Sequence, residues 1–163
     1  TITDDLTKLY NSRFMHNRLE YEVERARRSE HQISLVFMDL DYFKEINDNF
    51  GHICGSKVLK AAAKLIRDMI RSTDMACRYG GDEFLILMPE TAKDNAMLAA
   101  EKLRAALKKH IFLTEEGINA QLSGSFGVAS FPDDANDKDD LIHKADNAMY
   151  AVKNSGRNGV SGA

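Results

Sequence analysis

The chain of 163 residues carries 22 Lys and Arg against 25 Asp and Glu, a net charge of −3 with a pI near 5.9. That length suits one domain, residues 1–163, able to bury roughly 70% of its unfolded surface without a disulfide or metal staple. The acidic balance speaks against a general grip on a nucleic acid polymer. No apolar run approaches the ~20 residues of a membrane span, and no signal peptide is visible. A cytoplasmic domain without membrane contact is therefore expected. The missing initiator Met suggests a piece of a longer protein.

The opening segment, 1–12, is polar and turn-like. A charged amphipathic helix is predicted over 14–30, with Leu19, Val23 and Ala26 on one side. The run 33–40 (ISLVFMDL) reads as a buried strand ending in carboxylates. A short helix follows over 43–50, Gly51 and Gly55 punctuate a turn, and 57–71 is a helix with Val58, Leu59, Ala62 and Ile66 inward. Strands at 75–79 and 83–88 flank Gly80-Gly81-Asp82, a hairpin signal. Then come a helix over 91–110, a strand over 120–130, a polar loop and a final helix over 138–154. Cys54 and Cys77 belong to no Cys/His cluster and read as buried free thiols. The order predicts an α+β fold, a βαββαβ unit with one helical layer on a mostly antiparallel sheet.

Chemistry concentrates at strand ends. Asp39 and Asp41 close the first strand, while Asp82 and Glu83 lie in the hairpin. In a split βαβ sheet these places can meet, bringing three or four carboxylates to one spot. Such acids repel and raise one another's pKa, and a hard divalent cation relieves that repulsion. Oxygen-only ligands favour Mg²⁺, with Mn²⁺ an acceptable substitute. Gly80 and Gly81 permit positive φ and remove side chains where a nucleotide must approach the backbone.

Four motifs stand in order: DDLTKLYNSR at 4–13, DLDYFKEINDNFGH at 39–52, GGDEF at 80–84 and ADNAMYAVKNSGRN at 145–158. Together they resemble the GGDEF family, the diguanylate cyclases, over nearly the whole chain. The resemblance implies a ferredoxin-like palm shared with nucleotidyl cyclases. It implies a transferase that condenses two nucleoside triphosphates into a cyclic dinucleotide and releases pyrophosphate. Each domain holds one nucleotide, so a homodimer is required for catalysis. An upstream sensory domain usually controls that encounter in the full-length protein.

By matching position, Asp39, the Leu40 carbonyl and Asp82 with Glu83 hold the metal. Asp82 or Glu83 assists deprotonation of the ribose 3′-hydroxyl. The amides of Tyr42 and Phe43 face phosphate oxygens near a helix N-terminus, and Lys44, Lys153 and Arg157 contact the triphosphate. Asn47, His52 and residue 56 read the base. Arg71 and Asp74 match the family's RxxD product-inhibition site.

The residue at 56 departs from the usual pattern. Typical diguanylate cyclases have Asp there, which accepts from guanine N1–H and the 2-amino group. This chain has Ser56 in GHICGSKVL, which both donates and accepts. The same change marks the hybrid promiscuous GGDEF enzymes, which make 3′,3′-cyclic GMP-AMP from GTP and ATP alongside cyclic di-GMP. Relaxed purine choice is the expectation. The rivals are a strict diguanylate cyclase, a non-catalytic cyclic di-GMP receptor and another palm enzyme; the intact hairpin and Asp39 oppose the receptor.

Overall fold

The computed structural model describes residues 1–163. In chain order the elements are β1 (Tyr10–Asn11), α1 (Ser12–Ser29), β2 (Ile33–Leu40), α2 (Phe43–Phe50), α3 (His52–Met69), β3 (Met75–Arg78), β4 (Glu83–Met88), α4 (Lys93–Lys109), β5 (Gly124–Phe131), α5 (Lys138–Asn154) and β6 (Gly159–Gly162). The six strands form one sheet in the order β1-β3-β4-β2-β5-β6. The inner pairings β3–β4, β4–β2 and β2–β5 are antiparallel, and the outer pairings β1–β3 and β5–β6 are parallel. The run from β2 to β5 is the βαββαβ core the sequence predicts.

The expected single helical layer is corrected: helices cover both faces of the sheet. On one face α2, α3 and α4 contribute Phe43, Val58, Ile66, Ala100 and Leu103, packed against Val36, Met38, Phe84, Ile86 and Phe126. On the other, α1 and α5 contribute Met15, Leu19, Val23, Leu141 and Met149 against Leu35, Phe37, Leu85, Leu87 and Ala129. The physical reason lies in β2 itself, which is apolar along both faces and buried along nearly its whole length. A strand wetted on one face would alternate.

Local signals explain where the elements begin. Asn11 caps α1, its side chain accepting from Phe14 N–H at 2.9 Å, so the helix starts two residues before the apolar periodicity does. Helix α3 starts at His52, well before the predicted Lys57, because Gly51 (φ 88) breaks the chain between α2 and α3 and the helix resumes at once. Gly55 is then inside a helix rather than in a turn. Strand β6 follows a turn of consecutive left-handed residues, Gly156, Arg157 and Asn158, and carries too little apolar pattern to be read from sequence. Cys77 is buried and Cys54 half-buried, both free. Burial pushes the Cys77 thiol up to about 12. No helix is long and apolar enough to cross a membrane.

Candidate active site

The register of β2 on β4 places Asp39 directly opposite Glu83. Just beyond, Leu40 N–H donates to the Asp82 carbonyl at 3.2 Å. Asp39, Leu40, Asp82 and Glu83 thus converge although some forty residues separate them in sequence. Asp39 lies on the sheet face covered by α5, and Lys153 from that helix reaches it, with Nζ 3.0 Å from Oδ2. The other oxygen, Oδ1, is buried with no hydrogen-bond partner. Burial and the Asp82 charge, only partly offset by Lys153, push Asp39 up to about 7. Glu83 is also raised, by burial first and then by the Asp146 and Asp82 charges.

Of the three or four carboxylates expected to converge, Asp39, Asp82 and Glu83 do and Asp41 does not. No group of three or more Asp, Glu, His or Cys side chains is arranged to hold a metal ion. Asp41 turns away into a buried network, accepting from Ser123 Oγ (2.6 Å), Ser125 Oγ (2.7 Å) and Asn158 N–H (3.0 Å). What remains is Asp39 beside Asp82, with an orphaned buried carboxylate oxygen. That set fits Mg²⁺, which dehydrates reluctantly and takes one or two carboxylates plus substrate phosphates rather than an all-protein cage.

Gly80 acts by absence of bulk, not by φ, whereas a Cβ on Gly81 would meet open space. Neither Gly80 nor Gly81 is among the positive-φ residues. A Cβ on Gly80 would stand 2.3 Å from Glu83 Oε1, so a bare backbone at 80 leaves room for that carboxylate. The hairpin is held from outside. Arg78 donates from Nε (3.2 Å) and NH2 (3.0 Å) to the Gly81 carbonyl, and from NH1 to Asp4 Oδ1 at 3.4 Å. Asp4 in turn accepts from Thr7 N–H and Thr7 Oγ1. Asp4 opens the motif at 4–13 and Arg78 lies in the predicted strand before Gly80, and neither has a role predicted from sequence. Their opposite charges at motif ends were the available signal.

A cleft of ≈ 380 Å³ opens beside the hairpin, lined by Lys44, Asn47, His52, Ser56, Arg78 and Asp82 among others. All three base-reading candidates therefore share one cavity with the acid Asp82. Gly55 makes this possible: a Cβ there would lie 1.8 Å from Asn47 Oδ1, so the carboxamide rests on bare helix backbone. Tyr42 caps α2 in the left-handed conformation (φ 58) without a side-chain cap; Glu45 N–H bonds back to the Tyr42 carbonyl at 3.0 Å, and the Phe43 and Lys44 N–H groups precede the first intrahelical acceptor.

The cations divide. Lys153 is half-buried at Asp39. Arg157 lays its guanidinium 4.7 Å above the Tyr42 ring, which keeps it near that helix N-terminus. Lys44 is 87% exposed and pairs with Asp48 at 2.8 Å, a surface ion pair of little strength. Arg71 and Asp74 lie apart from this site. Asp74 accepts from Arg71 N–H (2.9 Å), Nε (3.2 Å) and NH2 (2.9 Å). The Asp74 carboxylate is buried while the Arg71 side chain stays 57% exposed. Both border a separate cavity of ≈ 350 Å³ between α3 and α4.

Known proteins resemble this chain over nearly its whole length. The family model described as "Diguanylate cyclase, GGDEF domain" matches residues 1–159. The response regulator PleD of Caulobacter vibrioides is 37% identical over 99% of this chain and 36% of its own length. Diguanylate cyclase DosC of Escherichia coli K12 is 38% identical over 96% of the chain and 34% of its own length. The chain thus spans about a third of these relatives. Among solved structures, the GGDEF domain of PA1120 (TpbB or YfiN) from Pseudomonas aeruginosa superposes with a TM-score of 0.93 at 34% identity, covering 99% of this chain and 94% of that one. The GGDEF domain of DgcB from Caulobacter crescentus, in complex with c-di-GMP, gives 0.93 at 30% identity, covering 99% and 95%. The matches extend over almost the whole chain: this chain belongs to the GGDEF family of diguanylate cyclase domains.

Proposed function

We propose that the chain is a cyclic dinucleotide synthase domain that joins two purine nucleoside triphosphates, with cyclic di-GMP from two GTP as its basic product. The single observation that carries this reading is the shared cleft: Asn47, His52 and Ser56 line the same cavity as Asp82, and Asp39 stands one strand away. A base and its reacting phosphate need both ends at once.

In this reading Asn47 and Ser56 meet the base edge, each able to donate and accept. The free N–H groups at the start of α2 face phosphate oxygens, where the helix dipole favours negative charge. Arg157 and Lys153 add positive charge, and Lys44 joins them once its surface pair with Asp48 opens. Asp39, the Leu40 carbonyl and Asp82 would hold Mg²⁺, with Glu83 beside them; when bound, the ion stabilises charge on the phosphates and lowers the pKa of the ribose hydroxyl. Glu83, which keeps its proton to higher pH than an ordinary carboxyl, stands next to Asp82 as a group able to take or return one. The 3′-hydroxyl oxygen of one nucleotide forms a bond to the α-phosphorus of the other, and the bond to pyrophosphate breaks. A reciprocal step closes the ring. Each cleft holds one nucleotide, so two copies must face each other, and an upstream sensory domain would set how often they do. Arg71 and Asp74 would bind product from the outer edge of the guanidinium.

A second reading is favoured by one residue. Ser56 puts a hydroxyl, not a carboxylate, among the base-facing residues, so nothing there repels the unprotonated N1 of adenine. On that ground the domain would also accept ATP and make 3′,3′-cyclic GMP-AMP. An assay with equimolar GTP, ATP and Mg²⁺, products resolved by mass, tests both. Cyclic di-GMP alone keeps the synthase and discards relaxed choice. No cyclic product from folded protein at concentrations that permit dimerisation would overturn the synthase reading.

A further inference from the structure

Asp41 is 1% exposed, yet it is neither in the metal site nor at the cleft. Its carboxylate ties two other chain segments to its own, three in all. Oδ1 accepts from Ser125 Oγ (2.7 Å) at the start of β5; Oδ2 accepts from Ser123 Oγ (2.6 Å) and from the backbone N–H of Asn158 (3.0 Å). Its own N–H donates to the Ser123 carbonyl at 2.9 Å. The third segment is unusual. Gly156, Arg157 and Asn158 follow one another at φ 106, 65 and 48. Side-chain-bearing residues avoid that region, and such a turn persists only where its surroundings hold it. Arg157 N–H bonds to Val152 O at 2.9 Å, and Asn158 Oδ1 accepts from Arg104 NH1 at 2.8 Å. The Asp41 bond to Asn158 ties this turn to the segment that carries Tyr42, the ring beneath the Arg157 guanidinium at 4.7 Å.

We propose that Asp41 is a positioning residue: by holding the Asn158 amide it locks the left-handed turn that places Arg157 over Tyr42 at the phosphate end of the cleft. This rests on the assignment of Arg157 to the triphosphate. The buried acid follows Asp39 by two residues, but its work is to orient a cation carried by the turn between α5 and β6.

Two measurements test it. In the unaltered protein the Asn158 amide should exchange with deuterium as slowly as the β5 core amides; exchange at the rate of an exposed loop would overturn the lock. In steady-state kinetics with GTP and Mg²⁺, Asp41→Asn and Arg157→Ala should each raise KM roughly tenfold with kcat within about twofold. The double variant should be no worse than Arg157→Ala alone, since both remove one interaction. Additive losses, or a collapse of kcat at unchanged KM, would refute the positioning role. Should Asp41→Asn not fold, the amide exchange in the unaltered chain decides. Failure of the unaltered chain to make any cyclic dinucleotide would sink the functional reading, whereas the exchange experiment reads the lock without turnover.

Discussion

Lys153 Nζ stands 3.0 Å from Asp39 Oδ2, so the last helix reaches an acid near the end of β2 on the sheet face it covers. Despite this cation, Asp39 holds its proton up to about 7, because burial and the Asp82 charge outweigh it. The folded state therefore binds a proton more tightly than the unfolded chain, whose Asp titrates near 4. Stability in chelator-treated buffer should fall as pH rises from about 4 to 7 and level off above that. Asp39→Asn should flatten this slope and raise the melting temperature at pH 8, while eliminating turnover. Thermal melts of both proteins across that range check it; an unchanged slope in the variant would remove Asp39 as its source.

Asp82→Asn keeps the shape of the hairpin, since the Arg78 bonds to the Gly81 carbonyl do not involve the Asp82 side chain. The expected result is a kcat reduced by about a hundredfold or more with an unchanged circular dichroism spectrum and a melting temperature no lower than that of the unaltered chain. Substantial activity in the folded variant would refute the metal assignment.

Ser56→Asp places a carboxylate beside Asn47 and His52. It should suppress incorporation of ATP by at least roughly a hundredfold, leaving cyclic di-GMP as the product of a GTP and ATP mixture. If the starting protein makes cyclic GMP-AMP and the variant continues to do so, residue 56 does not read the base.

Gly55→Ala should separate fold from site. Alanine favours a helix over glycine by about 1 kcal/mol, so the melting temperature should not drop. The added methyl would fall 1.8 Å from the present position of Asn47 Oδ1 and must displace that side chain. KM for the nucleotide should rise severalfold, roughly the cost of one misplaced hydrogen bond. A lower melting temperature with unchanged KM would show that Asn47 has no part in binding.

Much of the fold was legible in the chain. The apolar run 33–40, the long amphipathic helices and the Gly80-Gly81 interruption fix the alternation of strands and helices through their periodicity, a local property. The boundaries that went astray depended on contacts. Helix α3 begins early because Gly51 turns the chain once and the helix resumes at His52; β6 pairs with the outer edge of β5; the second helical layer follows from the two apolar faces of β2, a signal present in the run but read as one-sided.

The site divides in the same way. The residue types, two acids at strand ends with Asn47, His52 and Ser56 on one helical hairpin, were determined by sequence, and the motif spacing identified the family. Tertiary structure decided which acids meet. Asp39 and Asp41 are alike in sequence, but register sets Asp39 opposite Glu83 while Asp41 sinks among the donors of β5 and the turn before β6. Arg78 became a brace for the hairpin only when folding brought Asp4 to its other side. Side-chain chemistry is local and can be read in order along a chain; which neighbours satisfy a buried charge depends on segments that only the fold brings together.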